Sequence, residues 1–332
     1  MSEFDVLCIG NAIVDIIARA EDDFLHDNEI IKGAMNLIDA DRAELLYDRM
    51  GPAVETSGGS AGNTAAGIAS LGGTAAFFGK VNDDHLGGIY RHDIRAQGVA
   101  FDTHPLIGSP PTARSMIFVT PDGERSMNTY LGACVELGPE DIEEDKVAAS
   151  KVTFFEGYLW DPPRAKDAIR KAAEIAHANG REMSMTLSDP FCVDRYRDEF
   201  LDLMRSGTVD IVFANEDEAK SLYQTADFET AVEAMRHDCR LAIVTRSEKG
   251  SVAMNRHETA SVSAHEIDNL VDTTGAGDLY AAGFLYGYTQ GRSLEDCARL
   301  GSLAASIVIQ QVGPRPQVSL RQAAIDDGLI KG

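Results

Sequence analysis

Short apolar runs alternate with helix-patterned stretches along most of this chain. Phe4–Gly10, Ala75–Gly79, Val152–Glu156, Glu182–Leu187, Ile211–Ala214 and Leu241–Thr245 are brief, apolar and bounded by polar or turn residues. That pattern predicts buried strands. Between them, Asp84–Gln97, Pro163–Asn179, Asp194–Met204 and Glu216–Tyr223 carry the helical period. This order predicts β-α-β units, hence a parallel sheet covered by helices on both faces. From Gly275 onward the pattern is mostly helical, beginning with a small-residue apolar run, Leu279 to Tyr288. The predicted helix Ser60–Leu71 is built almost wholly of small residues, including Ala61, Gly62, Ala65, Ala66, Gly67 and Ala69. A helix so stripped of bulk lets other backbone, or a ligand, come close.

Three stretches break the alternation. Ile13–Ala18, Gly33–Ile38 and Phe101–Leu131 show β-type patterning, with turn signals at Gly108 to Pro111 and at Pro121-Asp122-Gly123. Lacking intervening helices, they predict a small sheet outside the main layer.

Composition narrows the partners. The 332 residues carry a net charge of −23, with a sequence pI near 4.6. Such a surface repels nucleic-acid backbone and anionic lipid, so neither is an expected partner. Any anionic ligand must instead meet local positive potential. The cysteines Cys8, Cys134, Cys192, Cys239 and Cys297 are scattered, which suits buried thiols in a reducing cytoplasm. The histidines show no metal-ligand spacing. The N-terminal stretch carries Glu3, Asp5 and Asp15 and no basic opening, so neither a secretory signal nor a membrane span is expected there.

The most informative string is Asp272-Thr273-Thr274-Gly275-Ala276-Gly277-Asp278. Its glycines allow a sharp turn, and the helix that follows aims its N–H groups at one point, which makes an anion site. Asp278 stands where the anion would be. A carboxylate there is unfavourable unless it has a task, and the fitting task is to take a proton from a hydroxyl that attacks phosphorus. A capped glycine turn is the plain alternative. Earlier in the chain, Gly58-Gly59-Ser60-Ala61-Gly62-Asn63 places adjacent glycines before a helix and adds an amide suited to a hydroxyl. In Gly10-Asn11-Ala12-Ile13-Val14-Asp15 the acid lies in an apolar stretch, where it needs a partner such as a vicinal diol. There is no Walker A loop and no dinucleotide G-x-G-x-x-G, which disfavours other kinase architectures and hydride transfer.

The 272–278 string resembles the D-T-x-G-A-G-D signature of the PfkB (ribokinase-like) carbohydrate and nucleoside kinases. The resemblance implies a ribokinase-like α/β fold: a central, mostly parallel sheet flanked by helices on both faces, plus a small β-sheet lid. It implies one kinase unit with a large domain (approximately 1–11, 40–100 and 132–332) and a discontinuous lid (approximately 12–39 and 101–131). It makes Asp278 the base and Gly275, Ala276 and Gly277 the anion hole, with Arg125 reaching the phosphates. Gly58, Gly59, Asn63, Asn11 and Asp15 would bind the acceptor. ATP would be held at Asn215, Thr245, Ser247, Gly250 and Thr274. Glu218, in an A-N-x-x-E motif from Ala214, would organise Mg²⁺ through water. Asp272, with the Thr274 carbonyl, is a candidate for a monovalent cation such as K⁺. Ser247 stands where the family's T-x-G-x-x-G loop has its first glycine.

Three stretches are similar to the adenosine-kinase branch: Gly10–Asp15, the segment Gly123-Glu124-Arg125-Ser126-Met127 with Leu131, and Leu187-Ser188-Asp189-Pro190-Phe191. Ile13, Met127, Leu131, Tyr158 and Trp160 could then line a flat purine slot. Met35 departs from the glutamine that some members of that branch carry near the base. The implied activity is ATP-dependent phosphorylation of the adenosine 5′-hydroxyl. A sugar kinase acting on ribose, fructose or a keto-deoxy sugar acid stays open, as does a nucleoside or sugar sensor without catalysis. So does the choice between monomer and homodimer.

Overall fold

A computed structural model describes residues 2–332. In chain order the strands are β1 (Phe4–Ile9), β2 (Ile13–Arg19), β3 (Met35–Leu37), β4 (Ala53–Ser57), β5 (Ala75–Phe78), β6 (Val99–Ala100), β7 (Ala113–Val119), β8 (Arg125–Tyr130), β9 (Ser150–Glu156), β10 (Glu182–Thr186), β11 (Ile211–Asn215), β12 (Leu241–Thr245), β13 (Ser251–Met254) and β14 (Thr259–Val262). The helices are α1 (Asp22–Asp27), α2 (Ala40–Arg49), α3 (Ser60–Ser70), α4 (His85–Ala96), α5 (Glu144–Ala148), α6 (Pro163–Ala178), α7 (Pro190–Arg205), α8 (Glu216–Leu222), α9 (Phe228–Asp238), α10 (Ala276–Thr289), α11 (Leu294–Val308) and α12 (Leu320–Asp326).

The large sheet runs β14-β13-β12-β11-β10-β9-β1-β5-β6. It is parallel from β12 to β6, with β13 and β14 added antiparallel at one edge. Its strands are apolar on both faces because helices cover both. On one side α6, α7, α8 and α9 pack around Phe155, Trp160, Met183 and Val212. On the other, α3, α4, α10 and α11 pack around Cys8, Phe77, Phe154 and Phe284. The small-residue helix α3 is buried along almost its whole length. A Cβ at Gly67 would meet Ala282 and Leu279 of α10 at 2.6 and 2.7 Å, so the small residues allow the two helices to approach closely.

The second sheet has the order β3-β8-β7-β2-β4. Two features depart from the sequence expectation. Ala53–Ser57 joins this small sheet, antiparallel to β2, although 40–100 was assigned to the large domain. The strand is a short, largely exposed edge without an apolar run, so its pattern gave no signal. Helix α2 follows it: Ala43 and Leu46 bury against Met116 and Phe118 of β7. A short helix, α1, also lies between the first two lid segments. Among the strands and helices named from the sequence, the other differences are at element ends. Helix α7 begins at Pro190 rather than Asp194, with Asp189 accepting from the Cys192 amide as its N-cap. The five cysteines are unpaired and buried. Among the described residues no helix is long and apolar enough to cross a membrane.

Candidate active site

Several of the predicted residues stand at the carboxyl ends of the large sheet's strands. Asn11 follows β1, Asn215 ends β11 and Thr245 ends β12. That edge is where an open parallel sheet binds its ligands.

Helix α10 starts at Ala276, three residues earlier than the apolar run suggested, with Gly275 as its N-cap at φ 80°. A glycine is required there: a Cβ would need a left-handed backbone and would stand 2.7 Å from Pro314 Cβ. The amides of Gly275, Gly277 and Asp278 donate to nothing among the described residues, whereas Ala276 donates to Thr273 O at 3.2 Å. The Ala276 amide closes the turn in this structure. The free amides at this helix start are the groups a phosphate would meet.

Asp278 lies in the first turn of α10 and is half-buried. Ser60 Oγ donates to its Oδ1 at 2.6 Å and Asn63 Nδ2 to its Oδ2 at 2.8 Å. Both donors come from the first turn of α3. Burial raises the Asp278 pKa above the ordinary value; these two hydrogen bonds and the Arg315 charge pull it back down. Ser60 gave no sequence signal of its own, since it lies 218 positions from its partner.

Asp15 on β2 is 6% exposed and faces Gly58, where any Cβ would collide with the carboxylate. No side chain among the described residues donates to it. Desolvation raises its pKa to about 7, opposed by Arg315 and Arg125. Gly59 has φ 84°, and a Cβ there would run into the Asn11 carbonyl. Asn11 and Asn63 each bury an Oδ1 that accepts no hydrogen bond. Three buried acceptors thus lack a donor: Asn11 Oδ1, Asn63 Oδ1 and the Asp15 carboxylate.

Glu156, at the end of β9, was not singled out from the sequence. It is 1% exposed and accepts from Asn11 N at 2.9 Å, Asn11 Nδ2 at 2.6 Å and Ala61 N at 2.8 Å. It fastens the end of β1 to the start of α3. Burial raises its pKa to about 7 against those hydrogen bonds.

Arg125 reaches across from β8 to Asp272, Nη2 to Oδ2 at 2.6 Å, with both side chains under 10% exposed. Its Nη1 lies buried without a hydrogen-bond acceptor. Such an orphaned donor suits an anion. Asp272 also accepts from Thr274 N at 3.0 Å and Gly313 N at 2.9 Å. The role this geometry gives Asp272 is a tie between lid, signature and C-terminal segment.

On the nucleotide side, Asn215 and Glu218 form a reciprocal cap of α8, and Asn215 engages both Glu218 carboxylate oxygens. Burial, then the charges of Asp189, Asp217 and Asp278, raise Glu218 to about 7 against the Asn215 hydrogen bond. Among the described residues no three or more His, Cys, Asp or Glu side chains gather as a metal cluster. Mg²⁺ usually keeps several waters and takes one or two carboxylates, so a lone acid in a negative field fits it. Ser247 sits at φ 51°, and so adopts the left-handed backbone for which glycine is the usual residue. Gly250 packs so closely on Val262 O that a Cβ would not fit. Tyr280 of α10 donates to Ser251 Oγ at 2.7 Å, joining this loop to the signature helix.

Of the slot residues, Ile13, Met127 and Leu131 are half-buried on or beside the lid sheet. Tyr158 is half-buried and its hydroxyl donates to Ser188 O at 3.4 Å; its phenol is raised first by burial, then by Asp189, Glu218 and Asp278. Trp160 does not line the slot. It is fully buried beside Phe155 and Phe200 and donates to Glu199 at 2.7 Å. The 3₁₀ turn Gly157–Trp160 separates it from Tyr158.

The signature, the two sheets and the held carboxylate define a phosphotransferase of the ribokinase-like class, and the chain belongs to the pfkB family of carbohydrate kinases, whose pattern matches residues 4–320. It is 73% identical to the adenosine kinase from Sinorhizobium meliloti, with a TM-score of 0.93 over 98% of this chain and 100% of that one. It is 71% identical to a probable sugar kinase protein from Rhizobium etli CFN 42, with a TM-score of 0.94 over 99% and 100% of the two chains. It is also 27% identical to the adenosine kinase of Saccharomyces cerevisiae, covering 93% of this chain and 96% of the relative.

Proposed function

We propose that this chain transfers the terminal phosphoryl group of ATP to the 5′-hydroxyl of adenosine. The observation that carries the reading is Asp278, held by Ser60 and Asn63 in the first turn of a helix whose leading amides are free. The amides of Gly275, Gly277 and Asp278 offset charge on the transferring group. Asp278 accepts the hydroxyl proton as the oxygen attacks phosphorus in line. Its raised pKa makes it a stronger base than an exposed aspartate. Arg125 turns its spare N–H groups to the phosphates, and the lid it belongs to excludes water. Thr245, Ser247, Gly250, Asn215 and Thr274 border the nucleotide. Glu218 would hold a hydrated Mg²⁺ through water, and that ion supplies charge neutralisation on the phosphates.

The choice of acceptor rests on the lid's register. One cross-strand row is polar except at the β3 edge: Thr56, Asp15, Ser115 and Thr129 stand side by side, with Leu37 at the end. The next row on that face is wholly apolar: Val54, Ile17, Ile117, Met127 and Met35. A ribose beside a flat base needs such a polar stripe next to an apolar one. The high identity to the Sinorhizobium adenosine kinase supports the same choice.

A coupled assay of ADP release across adenosine, inosine, ribose and fructose tests it. Adenosine is expected to give the highest kcat/KM; ribose or fructose outpacing both nucleosides would overturn the choice. A sugar acceptor is the second reading, favoured by the three unpartnered acceptors, which suit any polyol.

A further inference from the structure

We propose that the tripeptide Gly313-Pro314-Arg315 is a positioning element that registers the acceptor-binding glycine turn against the start of the phosphate-binding helix. It rests on the reading of Asp278 as base and Asp15 as acceptor ligand. Each of its residues fixes a different part of the site. Gly313 N donates to Asp272 Oδ2 at 2.9 Å, at the head of the signature. Pro314 packs on Gly275 so closely that no Cβ fits there. Arg315 passes behind the glycine turn: Nη1 donates to Gly62 O at 2.8 Å and to Gln97 Oε1 at 3.0 Å, and Nη2 to Gly58 O at 3.4 Å.

The local sequence is shaped around this arginine. A Cβ at Gly62 would stand 3.2 Å from Arg315 Nη2 and 2.9 Å from the Tyr90 hydroxyl. Gly62 therefore makes room for the Tyr90 hydroxyl and the guanidinium together. A flat fork with several fixed donors can hold two carbonyls of one turn; a lysine ammonium cannot match that geometry. No carboxylate makes a salt bridge with Arg315 among the described residues, so its charge acts over the cleft. The ionisable groups that interact with it are Tyr90 and Asp93 on α4, Asp15 on β2 and Asp278 on α10. Its charge lowers both Asp15 and Asp278, against the burial that raises them. Arg315 thus holds Gly58 where the Asp15 carboxylate lies against it, and favours the ionised base. It touches no reacting atom in this account and is not itself catalytic.

The test uses the full-length enzyme with Arg315→Met and Arg315→Lys, read as KM for acceptor, KM for ATP and the acidic limb of kcat/KM. Arg315→Met is expected to raise the acceptor KM roughly ten- to hundredfold, the scale of lost charge-assisted hydrogen bonds. It is expected to leave the ATP KM within about twofold and to move the acidic limb to higher pH, because a charge that lowers the base is gone. Arg315→Lys is expected to raise the acceptor KM but keep the acidic limb in place, since the charge remains. A folded Arg315→Lys that raises both KM values equally would show a merely structural role and overturn the proposal. So would an acceptor KM within twofold of wild type in either variant. Wild-type behaviour of both variants, with Asp278→Asn inactive, would sink this inference and leave the proposed function standing.

Discussion

Ser60 and Asn63 do for Asp278 what sequence spacing cannot show: they hold both oxygens of its carboxylate in one orientation. Each such hydrogen bond favours the ionised carboxylate. Ser60→Ala should therefore raise the Asp278 pKa and shift the acidic limb of kcat/KM to higher pH; a limb that moves down or stays put would deny the contact its role. Asp278, Asp15, Asn63 and the glycines were legible because they sit in short strings whose chemistry is local. Ser60, Glu156 and Arg315 were not, because each acts on a partner far along the chain. Arg315 meets Gly58 across 257 positions, and Glu156 meets Asn11 across 145. A buried arginine or glutamate without its partner reads as any surface charge. Trp160 failed differently: adjacency to Tyr158 suggested a shared slot, but one turn of 3₁₀ helix sends it into the core.

Among the elements, the buried strands and long helices followed their hydrophobic period to within a few residues. The exceptions are those with least to bury. The edge strand β4 and the antiparallel β13 and β14 are short, and β4 and β14 lack a continuous buried run. The joint between β1, α3 and β9 is where element positions become chemistry. Glu156 joins these three elements by three hydrogen bonds at 2.6 to 2.9 Å. Glu156→Ala would leave three buried donors unpaired, so we expect a loss of roughly 3 kcal/mol or more in unfolding free energy. Urea unfolding followed by Trp160 fluorescence measures it; a change below about 1 kcal/mol would mean that the joint relaxes without cost.

At the scale of the molecule, an acidic chain places several carboxyls in one cleft and strains their ionisation. Burial raises Asp15, Glu156 and Glu218 each to about 7, well above the ordinary carboxylate range. The folded state therefore keeps protons that the unfolded chain has released between about pH 4 and pH 7. Their contribution to stability is greatest below that window and falls as pH rises to about 7. Asp93 and Glu216 act oppositely: hydrogen bonds and neighbouring cations outweigh burial and lower them, so their contribution is lost at the acid end. The ligand-free protein should accordingly be most stable on the acid side of neutrality, with Asp15→Asn flattening the decline toward pH 8. A stability that rises steadily from pH 5 to pH 8 would contradict this balance. Bound acceptor supplies the missing donors, so it should stabilise most where those acids are ionised.

The central claim concerns one carboxylate and the free amides beside it. Turnover of Asp278→Asn, measured as ADP release at saturating adenosine and ATP alongside direct ATP binding, tests it most directly. The account predicts a kcat about 10² to 10⁴ lower with ATP affinity unchanged, the range for loss of a positioned base. A near-normal kcat in the folded variant would contradict it.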